Sequence, residues 1–77
     1  MKTLLDLKKN QKATIKKVNS TGEIKKRLME MGAVPGSEVS VLKIAPLGDP
    51  LEILIKGYKL SIRKSEAKEI IIEEETL

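Results

Sequence analysis

The 77-residue chain contains no cysteine, histidine, tryptophan or phenylalanine, and Tyr58 is its one aromatic side chain. Without cysteine there is neither a disulfide nor a thiolate metal site. Without histidine the commonest metal ligand and the usual general base near neutral pH are missing as well. A nucleophilic serine needs such a base, and no local motif supplies a substitute, so an enzyme is not expected. A transition-metal site would call for imidazole beside carboxylate. The carboxylates here, Glu66, Glu69 and Glu73 to Glu75, have no histidine to join them, so neither a metal site nor a cofactor is expected. No GxGxxG or GxxxxGK[ST] pattern occurs, and Gly32, Gly36 and Gly57 therefore read as backbone residues rather than a phosphate cradle.

Long apolar runs are also lacking. Ile53-Leu54-Ile55 and Ile70-Ile71-Ile72 are the longest uninterrupted aliphatic stretches, far short of the roughly 20 residues a spanning helix needs. Asp6 and Lys8 interrupt the apolar start after Leu4-Leu5, which argues against a secretory signal. No membrane insertion is expected, and a soluble, cytoplasmic protein is.

What the chain does have is an uneven charge. Residues 1–27 carry nine basic side chains against Asp6 and Glu23, a balance of +7, so the remainder sums to −3 within the total of +4. A basic first third suits an acidic protein, anionic lipid or nucleic acid, or is simply a solvated face. The acidic end, residues 73–77, reads as a frayed tail of a single domain spanning residues 1–77. A domain of this length buries only about 60–65% of the surface its unfolded chain exposes.

The apolar pattern alternates between two periods. Lys12 to Val18 reads as a strand with Ala13 and Ile15 on one side. Ser20-Thr21-Gly22-Glu23 has the spacing of a capping box. Ile24, Leu28 and Met31 then form a stripe at helical spacing, which Gly32 ends. Pro35-Gly36 predicts a turn. After it, Val39, Val41, Leu42, Ile44 and Ala45 read as a bent strand buried on parts of both faces. Leu51 to Ile55 and Tyr58 to Ile62 flank Lys56-Gly57, which predicts a β-hairpin. Lys64 to Lys68 predicts one helical turn, and Glu69 to Glu73 a last strand. The fold class is therefore mainly β: five short strands and one short helix after the first strand. An open sheet of that size would leave edges to pair with other chains, so a small, partly closed barrel is the economical arrangement.

In order, Arg27-Leu28-Met29-Glu30-Met31-Gly32, Pro35-Gly36, Ala45-Pro46-Leu47-Gly48-Asp49-Pro50, Gly57-Tyr58, Leu60-Ser61-Ile62-Arg63 and Glu66-Ala67 make a pattern that resembles the FeoA family. The resemblance runs from about Leu4 to Ile72. It implies an SH3-like β-barrel and a role in bacterial ferrous iron transport. It also implies a partner, FeoB, the membrane transporter with a cytosolic GTP-binding domain, and, by resemblance alone, an association with transition metal ions. Lys9-Asn10 departs from the proline-glycine or similar turn often found at that place in the family.

The expected function is then a non-catalytic, regulatory accessory protein that binds a FeoB-type transporter. The candidate partner-binding residues are Pro46, Leu47, Gly48, Asp49 and Pro50, with Met29. Two prolines restrict their own φ and their predecessors, so this loop would present Leu47 with little extra loss of entropy on binding; alternatively Leu47 folds back to plug the barrel mouth. Met29 lies beside the helical stripe, and methionine adapts to irregular partners. Arg63 and Glu66, three apart, would pair with each other. The alternative function is a basic SH3-like nucleic-acid-binding module, which a single tyrosine serves poorly as a stacking platform. Weak self-association through an open strand edge is a further expectation.

Overall fold

A computed structural model of the chain describes residues 2–73. The acidic run beyond Glu73 lies outside the described residues. Six strands occur among them rather than five: β1 (Lys2–Thr3), β2 (Lys12–Val18), β3 (Glu38–Ile44), β4 (Leu51–Ile55), β5 (Tyr58–Ile62) and β6 (Ile70–Ile72). A 3-10 turn at Leu4–Asp6, helix α1 (Gly22–Glu30) and the single turn α2 (Lys64–Ala67) complete the order. The additional strand is two residues long, and its pairing with Ile71 and Ile72 is a tertiary contact that no local pattern announces.

All pairings are antiparallel, in the order β1-β6-β2-β3-β4-β5. Two register shifts curl the sheet toward a barrel. One falls between Ile15 and Lys17, making Lys16 the extra residue, so that Ile15 and Val18 both point inward. The other falls between Val41 and Lys43. There Leu42 is extra, which accounts for the two-sided pattern of β3: Val39 and Val41 are buried, Leu42 is half-buried, and Ile44 is exposed. A bulge adds a residue to one strand and increases local twist, which is how short strands bend around so small a core.

The core is wholly aliphatic. Leu4, Ile15, Leu28, Val39, Val41, Ile53, Ile55, Ile62 and Ile70 are its largest fully buried side chains, and Tyr58 stands outside it, 69% exposed. The β4–β5 hairpin turns on Lys56 (φ 49°) and Gly57 (φ 81°), both left-handed, as a two-residue turn that matches strand twist requires. The Pro35-Gly36 turn closes through the Ser37 N–H donating to the Val34 carbonyl at 3.0 Å. At the departure from the family pattern, Asn10 adopts φ 70° and its N–H donates to the Val41 carbonyl at 2.7 Å; asparagine is one of the few residues that visits this region readily.

Helix α1 corrects two expectations. No capping box forms at Ser20 to Glu23: Thr21 is the N-cap and makes no side-chain cap bond. Gly22 at φ 66° swings the entering chain out of the geometry in which a serine oxygen would meet the third N–H. The apolar stripe is also broken. Leu28 is buried, Met31 half-buried, and Ile24 50% exposed. The helix touches the barrel through its C-terminal turn, so a residue one turn earlier projects into water. Gly32 does end the helix, at φ 104°, and a side chain there would also meet the Lys56 stem, 3.2 Å from its Cβ.

Candidate partner-binding site

The loop between β3 and β4 is built by its own backbone. The Ala45 N–H donates to the Pro50 carbonyl at 3.2 Å, and the Gly48 N–H to the Ala45 carbonyl at 2.7 Å. Asp49 does not bond within the loop. Its Oδ1 accepts the Lys64 N–H at 2.9 Å, tying the loop to the start of α2. The β4–β5 register places that connection naturally, because Leu51 faces Ile62 and so the end of β5 arrives beside the loop. Pro46, Leu47, Asp49 and Pro50 are exposed, and Gly48 is half-buried.

Leu47 is 92% exposed. It stands at the tip of the braced turn and does not plug the barrel. Exposure of a single leucine is ordinary; a leucine held out on a loop with two backbone bonds and the Asp49 tie is a rigid apolar point with Arg63 and Lys64 close by in the chain that follows β5.

Met29 is 38% exposed and lies elsewhere. It shares one surface patch with Gly22, Lys25, Lys26, Glu30 and Val34, and a groove with Lys17, Lys25 and Pro35. None of these residues belongs to the Ala45–Pro50 loop, so the structure does not merge the two candidate contacts into one patch.

The pairing expected between Arg63 and Glu66 is replaced by a longer-range one. Glu66 Oε2 accepts from the Arg27 guanidinium at 2.7 Å across 39 residues of sequence, and Oε1 accepts the Arg63 backbone N–H at 2.9 Å. The Glu66 side chain is only 9% exposed and that of Arg27 55%. A buried carboxylate is tolerated when its oxygens are both satisfied, and this one pins α1 to α2. Nothing local to the sequence announces the bond, yet both residues fall in the segments that carried the family resemblance. The exposed Lys12–Glu38 pair, at 3.9 Å, adds little. No group of three or more histidine, cysteine or acidic side chains placed to hold a metal occurs among the described residues, and no helix there is long and apolar enough to cross a membrane.

Fold and surface together define a small SH3-like β-barrel module that presents a stiffened, apolar loop tip. The model of the FeoA domain matches residues 2–74, and the chain belongs to the FeoA family. It is 37% identical over 70 residues to the Fe(2+) transport protein A/Fe(2+) transporter FeoB fusion protein of Porphyromonas gingivalis, a match covering 91% of this chain and 8% of that one. Thus the chain spans less than a tenth of that relative's length. Among solved structures it resembles the FeoA protein of Chlorobium tepidum, with a TM-score of 0.86, 37% identity, and coverage of 92% of this chain and 68% of that one. Iron(II) transport protein A of Clostridium thermocellum gives 0.89 at 38% identity, covering 94% and 44% respectively. The FeoA of Stenotrophomonas maltophilia, a prokaryotic SH3 domain protein solved in complex with zinc, gives 0.85 at 30%, covering 95% and 91%.

Proposed function

We propose that this chain is a non-catalytic, cytoplasmic accessory module of ferrous iron transport that binds the cytosolic part of a FeoB-type transporter through the Ala45–Pro50 loop. The observation that carries the reading is Leu47, 92% exposed on a loop whose backbone is already fixed. Pre-organisation removes much of the ordering cost that a flexible loop meets on binding. The fused relative supports the partner, because two modules on one polypeptide meet at a high effective concentration, and the Stenotrophomonas protein is described as a candidate ferrous iron transport activating factor. The mechanism available to such a module is population shift: it favours whichever transporter state it contacts better.

The test is a calorimetric titration of the protein against a detergent-solubilised FeoB-type transporter at low and moderate salt, with a duplex oligonucleotide as control. Saturable transporter binding that persists at moderate salt and weakens at least about tenfold in Leu47→Asp, as loss of an interface anchor does, is the expected result. Binding to the oligonucleotide alone, fading with salt, would overturn it.

A further inference from the structure

Strand β5 is an open edge with a directional backbone and one sign of charge. It pairs with β4 on one side, and among the described residues no strand, turn or loop pairs with its other side. The two-residue turn makes Ile55 and Tyr58 the first hydrogen-bonded pair, and antiparallel pairs alternate from there. Ile53 with Leu60 and Leu51 with Ile62 therefore bond across the hairpin. Lys59 and Ser61, opposite Leu54 and Glu52, aim their N–H and C=O groups away from β4. An unpaired row of this kind is a template for an added strand.

Charge decides what kind of strand fits. From Lys56 to Ser65 the chain carries Lys56, Lys59, Arg63 and Lys64 and no acidic residue; Glu52, across from Ser61 on β4, is the carboxylate in the adjacent register. A second copy of this chain fits poorly. Antiparallel self-pairing centred on Lys59 sets Lys59 against Lys59, and pairing centred on Ser61 sets Lys59 against Arg63; like charges directly opposite one another are destabilising. The other face of the edge offers Tyr58 and half-buried Leu60 to alternate apolar side chains, the arrangement by which added strands gain specificity.

We propose that β5 is a docking edge for an extended acidic segment of a protein partner, one in which acidic and apolar residues alternate, added antiparallel or parallel through the outward backbone groups of Lys59 and Ser61. This goes beyond the reading of the Leu47 loop and does not rest on it, since the backbone groups it uses belong to Lys59 and Ser61 on β5 and not to the loop.

The experiment uses the full chain, isotopically labelled, and a capped seven-residue peptide alternating glutamate and valine. Amide exchange is followed by NMR at saturating peptide, with a peptide of equal charge carrying N-methyl groups on its central amides as control. At about nine-tenths occupancy the Lys59 and Ser61 amides should exchange about tenfold more slowly, while those of Tyr58, Leu60 and Ile62, already bonded to β4, change little. The double variant Lys59→Glu, Arg63→Glu should weaken peptide binding at least about tenfold. Ser61→Pro, which removes an outward N–H and leaves the β4 ladder whole, should abolish the slowing at Lys59. Equal binding of the N-methylated peptide, or protection confined to residues around Met29 or Leu47, would overturn the proposal. So would protection of Lys59 and Ser61 that grows with protein concentration in the absence of peptide, because the occupant would then be a second copy.

Discussion

The Ala45–Pro50 loop and the connection that bears α1 are held in opposite ways. The loop has no regular secondary structure, yet backbone bonds within it and the Asp49 bond to Lys64 restrain it along its length. The helix carries its own interior hydrogen bonds but, among the described residues, makes no extended contact with any other element. It is held at its C-terminal half by buried Leu28 and by the Arg27 bond to Glu66. Regularity and rigidity are therefore separate properties here: the irregular segment is the braced one. That difference is what makes the loop the better presenter of an apolar contact, since its geometry exists before a partner arrives.

The comparison is open to attack at each restraint. Leu28→Ala should have the largest effect, about 3 kcal/mol of lost stability by chemical denaturation, because it removes the apolar tether of α1 and leaves a cavity. Glu66→Ala should cost about 2 kcal/mol, since two donors lose a charged acceptor. Arg63→Ala should stay within about 0.5 kcal/mol, because only the backbone of Arg63 takes part; comparable losses in both variants would restore the pairing expected from their spacing. Asp49→Ala should cost about 1 kcal/mol, the usual value for a lost side-chain bond to a backbone N–H, and should raise backbone mobility from Ala45 to Pro50 in NMR relaxation. If the loop stays rigid without Asp49, its own two backbone bonds suffice and the tie to α2 is incidental. Ile24→Lys and Leu47→Asp should each leave the stability measured by chemical denaturation nearly unchanged, within about 0.5 kcal/mol. A large loss in either would mean that the exposed side chain is covered in solution.

Elements governed by neighbouring residues were legible before the fold was known. The Lys56-Gly57 hairpin, the Pro35-Gly36 turn, the stop at Gly32 and the single turn after Arg63 all depend on backbone freedom within a few residues. The alternation of Leu51, Ile53 and Ile55 was equally readable, since a strand with one buried face has a period of two. The stripe on α1 misled because helical spacing states which residues share a face, and says nothing of whether the whole face reaches the core. Ile24 shares the face with Leu28 and is still in water.

In the candidate site, the sequence alone determined that Ala45–Pro50 is stiff and carries a leucine. Proline and glycine act through their own dihedral angles, and that information is local. Which way Leu47 points, where Asp49 finds its donor and which arginine meets Glu66 were decided by the tertiary structure alone. The last two depend on chain segments that the fold brings together from 15 and 39 residues apart. A hydrogen bond is a matter of about 3 Å in space, and distance along the chain does not measure it.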